Sequence, residues 1–258
     1  MKYIFTLMFL LSSIYGSVLK STIASVDHEN DTATMKVEKI DVGMSGFVVH
    51  KLDKDHSSIV KSAVVESFKD SVAVLKLSDF EDLSNTALPS GKWIIKEGDT
   101  VIMAFGYKRA LLIAPTSEIY NKITKSASDI QWLHPDIFAT ILSINGHPTP
   151  LKEDFDHMTS SSYIGLIFIY LDSKLYTLDA KSFKILHTSD VSLEQKKDML
   201  PFYSRVEEID ANWFGEGSDE LEDYEPHYYE LLIEYNPEDE TLKKAYEAYE
   251  ENNKETEE

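Results

Sequence analysis

The sequence contains no cysteine. That excludes disulfides, thiol chemistry and a lipidated cysteine anchor, and it leaves core packing as the source of stability. An exported chain built this way fits a bacterial envelope protein better than a eukaryotic secreted one. Cations are also scarce: 25 Lys and Arg stand against 45 Asp and Glu, a formal net charge of −20. Nucleic acid and anionic lipid both require clustered cations, so neither is an expected partner. Long apolar runs are missing beyond the first residues. Tyr3–Leu11 is the one such run, too short for a stable membrane anchor. Preceded by Lys2 and followed by Ile14-Tyr15-Gly16, it reads as a secretory signal peptide over residues 1–16. No later stretch approaches a membrane helix in length, so the mature protein is expected to be soluble and not an integral membrane protein. Phosphate loops, dinucleotide fingerprints and zinc-ligand spacings are absent as well, and no cofactor, metal or enzymatic activity is expected.

What the chain does contain is pattern. Leu166–Leu171 is continuously apolar, as in a strand buried on both faces. Asp172-Ser173 breaks it, Lys174–Asp179 follows as a second strand, and Ala180-Lys181-Ser182 leads into a third over Phe183–His187. Connections this short force antiparallel pairing, because a parallel crossover needs a dozen or more residues. The stretch Gly165–Leu186 is therefore an antiparallel meander around which the second half is organised. Upstream, strands are expected at Thr34–Glu38, Phe47–Val49, Ala63–Val65, Val72–Leu77 and Val101–Phe105, separated by turn-like Asn, Asp, Lys and Gly clusters. Ser78–Trp93 interrupts them as a less regular insertion. Between Arg109–Pro115, another apolar strand, and the meander, helical spacing links Ile119, Tyr120 and Ile123, then Ile137, Phe138, Ile141 and Leu142, then Leu151, Phe155 and Met158.

The fold class is α+β. The expected organisation is a β-rich domain over residues 17–108, a small barrel or sandwich, followed by a mixed domain over 109–206. An acidic linker spans 207–236 and a charged C-terminal helix and tail 237–258. From Glu207 onward 20 acidic residues face 3 lysines, so the body is near neutral and the tail strongly acidic. In the terminal helix Leu242, Ala245, Tyr246 and Tyr249 share a face, while Glu240/Lys244 and Lys243/Glu247 are spaced to pair.

Two clusters could in principle carry chemistry. Gly43-Met44-Ser45-Gly46 with His50 and Asp55 has residue types of a serine nucleophile, but a glycine-rich turn feeding the strand that contains Phe47–Val49 explains it better. Glu153, Asp154, Asp156 and His157 offer ligand atoms, yet acids in a first helical turn are expected from the helix dipole alone. The run Asp219–Glu225 lacks the spacing and glycine of a calcium loop.

Six stretches in order carry a resemblance: V-G-M-S-G-F-V-V-H (42–50), A-L-L-I-A-P (110–115), P-D-I-F-A (135–139), P-L-K-E-D-F (150–155), L-Y-T-L-D-A-K-S-F-K-I-L (175–186) and L-P-F-Y-S-R-V (200–206). Together they resemble the N-terminal domain of the plasminogen-binding protein A family of Helicobacter, Campylobacter and related bacteria. The resemblance covers about Ser17–Asp210. It implies an exported binding protein of the periplasm or outer cell surface whose protein partner is host plasminogen, engaged through lysines that enter lysine-binding kringle modules. The sequence as it stands closes on Glu257-Glu258, so the lysines implied are internal: Lys243, Lys244 and Lys254, with Glu240 and Glu247 supplying a nearby anion. Lys174, Lys181 and Lys184 on the meander are the second set. The alternative reading is a periplasmic scaffold or assembly factor with no host ligand.

Overall fold

The computed structural model describes residues 18–80, 93–193 and 198–257, with side chains to residue 252. The leader read over 1–16 and most of the insertion after Ser78 lie outside the described residues. The chain divides into two compact units between Tyr107 and Lys108.

The first unit contains β1 (Leu19–Asp27), β2 (Thr32–Lys36), β3 (Ser45–Lys51), β4 (Ser57–Lys69), β5 (Val72–Ser78) and β6 (Thr100–Met103). They pair in the order β1-β2-β5-β4-β3-β6, and β6 returns to β1, so the sheet closes. Of the two β architectures expected, the barrel is the one formed. Alternate residues point inward, among them Ala33, Met35, Val48, Ala73, Leu75 and Val101, all buried. Alanines on β2, β4 and β5 keep the enclosed volume small enough for six strands. β4 runs for 13 residues, and a register shift after Val65 bends it between β3 and β5. Gly46 faces Met103 across the β3–β6 seam, where an added Cβ would lie 2.2 Å from the Ile102 carbonyl oxygen. The glycine is there because two strands approach too closely for any side chain.

The second unit contains β7 (Arg109–Ile113), α1 (Ser117–Ser126), β8 (Gln131–Leu133), α2 (Pro135–Asn145), α3 (Lys152–Ser162), β9 (Leu166–Leu171), β10 (Lys174–Asp179), β11 (Ile185–Asp190), α4 (Tyr224–Tyr235) and α5 (Glu240–Glu257). The sheet order is β11-β10-β9-β7-β8. β9, β10 and β11 form the antiparallel meander. β7 is parallel to β8 and to β9, as helical crossovers allow. The third meander strand starts later than its sequence suggests. Asp179 Oδ1 accepts the Lys181 and Ser182 amides at 2.9 and 2.8 Å, extending the turn through Phe183, whose φ is +58°. Phe183 leaves the sheet to plug the core, 5.3 Å from the Phe155 ring.

That core is aromatic. Phe138 lies 4.6 Å from Phe155 and stacks on Phe202 at 5.4 Å. Tyr224, Tyr228 and Tyr229 on α4 are almost wholly buried in the same cluster. Here the structure corrects the expected linker over 207–236. Its acidic composition hides a helical tyrosine face, and burial of large aromatic surface outweighs the entropy of ordering it. The Tyr228 hydroxyl donates to the Pro201 carbonyl at 2.9 Å and that of Tyr224 to the Tyr170 carbonyl at 3.0 Å. The preceding acidic segment is tied down too, at Asn212 and Gly217. The Asn212 amide donates to the Gly146 carbonyl at 3.0 Å, and the Thr149 amide to the Gly217 carbonyl at 3.1 Å. Gly146 closes α2 in the left-handed region, φ +75°, with Asn212 packed where its Cβ would be.

A charged clamp holds the chain just before this acidic segment. Asp136, in the first turn of α2, accepts from the Arg205 amide at 2.9 Å and from its Nε at 2.7 Å, and from the Ser204 hydroxyl at 3.1 Å. Burial works against ionising Asp136, but the Arg205 amide and guanidinium, His134 and Ser204 outweigh it, and the carboxyl titrates below its ordinary value. A depressed folded-state value means stability that is present above the unfolded value, about 3.9, and lost as pH falls through the lower folded one. Asp136→Asn is therefore expected to unfold in less denaturant than the parent near neutrality. The gap should narrow as pH falls below about 4 and close only under the lower folded-state value, where the parent's Asp136 is protonated too. Urea melts across that range check this, and a gap independent of pH would refute it.

Candidate binding site

The lysines implied by the resemblance lie on α5, which packs by the expected face. Leu242 is buried, Ala245, Tyr246 and Tyr249 are half-buried against the core, and Tyr246 stacks on Tyr229 at 5.2 Å. The Tyr246 hydroxyl donates to Glu230 at 3.2 Å; burial, then the Glu230 charge, pushes its pKa up to about 12. This docking turns the opposite face outward. Lys243 Nζ lies 2.9 Å from Glu240 Oε1, the i,i+3 partner, and lowers that carboxyl's pKa by hydrogen bond and charge. Lys244 is exposed, with Glu247 exposed one turn further on. Lys254 is on the same helix, and its side chain lies outside the described residues. The second lysine set is more engaged: Lys174 pairs with Asp190 at 2.9 Å, and Lys184 Nζ donates to the Tyr235 carbonyl at 2.6 Å.

The two clusters weighed for chemistry resolve as architecture. His50 Nδ1 lies 2.7 Å from Asp99, not from Asp55, and Asp99 also accepts the Lys96 amide at 2.9 Å. The pair is buried, and it closes a loop onto the barrel. Asp154 is fully buried and accepts from Asn145 Nδ2 at 2.7 Å and from the Leu151 amide at 2.7 Å, with His147 Nδ1 at 3.0 Å. It caps α3 and joins it to the end of α2. Among the described residues no group of His, Cys, Asp and Glu could hold a metal ion, and no helix is long and apolar enough to cross a membrane.

A cleft that sequence reasoning missed opens beside His147 and Glu153. It has a volume of about 410 Å³ and is walled by the start of α3, the loop around Phe214 and the end of α4. Lys152 reaches across its floor, paired with Asp156 and placed 5.2 Å from the Phe183 ring and 5.7 Å from that of Tyr235. Burial raises the Tyr235 phenol above its ordinary value, and Glu234, Asp156 and Glu216 add to the shift. The readable signal was Trp213-Phe214, an aromatic pair inside an otherwise acidic run.

Comparison with known proteins decides the family. Residues 18–232 match the family model described as "Plasminogen-binding protein pgbA N-terminal". The chain belongs to this family. Proteins named "Plasminogen-binding protein PgbA" from Helicobacter pylori strains J99 and 26695 are each 30% identical to it over 207 residues. Those alignments take in 80% of this chain and 45% of each relative, so the chain spans less than half the length of the curated relatives it matches. No solved structure matches it. The family match covers the barrel and the mixed unit and stops within α4; Lys243, Lys244 and Lys254 lie beyond it.

Proposed function

We propose that this member of the plasminogen-binding protein A family is an exported, non-enzymatic binding protein of the bacterial envelope whose protein partner is plasminogen. The family match over 18–232 carries the reading, and the relatives' name supplies the ligand. Export rests on Lys2 and the apolar run to Leu11. The contact is assigned to the outward face of α5. A kringle lysine site reads a cation and an anion together, and Lys243 with Glu240, or Lys244 with Glu247, offers both within one helical turn.

The full chain should bind immobilised plasminogen, a free lysine analogue should compete, and Lys243→Ala with Lys244→Ala should weaken binding at least about tenfold, the usual scale for losing a charged anchor. Protein recovered from an envelope fraction should begin near Ser17. Binding that the analogue does not displace, or an intact Met1 chain in the cytosol, would refute the proposal. One observation favours a second reading, the periplasmic scaffold: the family match stops before the lysine helix, so what this chain shares with the family is the barrel and the mixed unit as far as α4. Complete absence of plasminogen binding by the intact chain would select it.

A further inference from the structure

The cleft between α3 and α4 has a chemistry opposite to that of the α5 lysines. Leu151, Leu231 and Tyr235 line it, and Phe214 forms part of its lip. Glu153, Glu216 and Glu234 add carboxylates that are exposed to solvent. Asp156 is neutralised by Lys152, but among the described residues no lysine, arginine or histidine pairs with Glu216 or Glu234. An apolar lining with unbalanced negative charge suits the side chain of lysine or arginine, which presents a long aliphatic stem and a terminal cation.

A second observation sets the size of the ligand. Phe214 is 87% exposed and its neighbour Trp213 99% exposed, although Trp213 is not among the residues lining the cleft. Residues at the two ends of this loop are held: Asn212 donates through its amide and its side chain to Gly146 and Asn145, and the Gly217 carbonyl accepts the Thr149 amide. Two large rings are thus presented to water on a pinned loop, which lowers the ordering cost of docking. Tryptophan is a common anchor of protein interfaces. A ligand that fills the cleft and also covers Trp213 must be longer than one side chain.

We propose that this cleft docks a basic peptide segment of a protein partner, one lysine or arginine entering toward Glu216 and Glu234 while flanking residues pack on Trp213 and Phe214. None of the cleft residues belongs to α5, so the site is independent of the plasminogen reading.

The test uses the full chain and a fluorescein-labelled peptide of lysine, leucine and glycine, read by anisotropy at low salt. Saturable binding is expected, together with a loss when every lysine of the peptide is acetylated. Glu216→Gln with Glu234→Gln should weaken it at least about tenfold, and Phe214→Ser should also weaken it. Lys243→Ala with Lys244→Ala should leave it unchanged, which separates this site from the α5 lysines. All these positions are on the surface, and unchanged thermal midpoints confirm that the variants fold. No binding by the parent chain, equal binding of the acetylated peptide, or an equal loss when Glu247 and Glu250 on α5 are neutralised would overturn the proposal. So would competition by spermidine as strong as by unlabelled peptide, since that would make charge alone the determinant.

Discussion

Deleting residues 224–258 is expected to abolish cooperative unfolding of the second unit while the barrel keeps its own transition. The segment carries Tyr224, Tyr228, Tyr229 and Leu232, all essentially inaccessible to water and part of the same cluster as Phe138, Phe155 and Phe202. Fully burying one large apolar side chain contributes roughly 1.5–3 kcal/mol, against a net domain stability of about 5–15 kcal/mol. Losing four such residues from one cluster exceeds what the remaining core can absorb. The loss also leaves the Pro201 and Tyr170 carbonyls without the tyrosine hydroxyls that satisfy them. A graded version is Tyr228→Ala, expected to cost about 3–5 kcal/mol, the range for emptying a buried aromatic site. Calorimetry of the two chains checks both, with near-ultraviolet circular dichroism as a measure of aromatic packing. A truncated chain that retains two transitions would show that α4 and α5 are appendages and that the unit ends before them.

The barrel has a comparably sensitive point at one methyl group. Gly46→Ala places a Cβ 2.2 Å from the Ile102 carbonyl oxygen and 2.7 Å from Met103 Sδ. The sulfur can move; the carbonyl belongs to the β6 backbone, which pairs with β3 on one side and β1 on the other. Relief therefore requires the β3–β6 seam to open, and that seam is part of what closes the sheet. We expect a loss of about 3 kcal/mol, the upper end of the overpacking range, with hydrogen-exchange protection falling first at Phe47–Val49 and Val101–Met103. Denaturant melts that coincide with those of the parent chain would mean that the strands separate more easily than the register implies.

Much of this molecule is set by local chemistry. The run Leu166–Leu171 reads as a strand buried on both faces, and the two-residue break after it makes the next strand an antiparallel partner. Pro135 and the 3.6-residue spacing of Phe138, Ile141 and Leu142 specify α2, and the apolar run Val72–Leu77 specifies a strand.

What the tertiary structure decided depends on partners far apart in sequence. Closure of the barrel turns on β1 pairing with β6, more than seventy positions away, a contact no local pattern contains. β8 has only 3 residues, too few for a period to register, and becomes a strand because β7 offers it a parallel edge. The acidic stretch after Glu207 reads as a solvated linker in composition. It folds because the tyrosines at 224, 228 and 229 find the Phe138 cluster and because Asn212 and Gly217 find the backbone near Gly146. Composition averages over neighbours in the chain, whereas burial is set by neighbours in space. The cleft beside Phe214 exists only once α3, α4 and that loop have met.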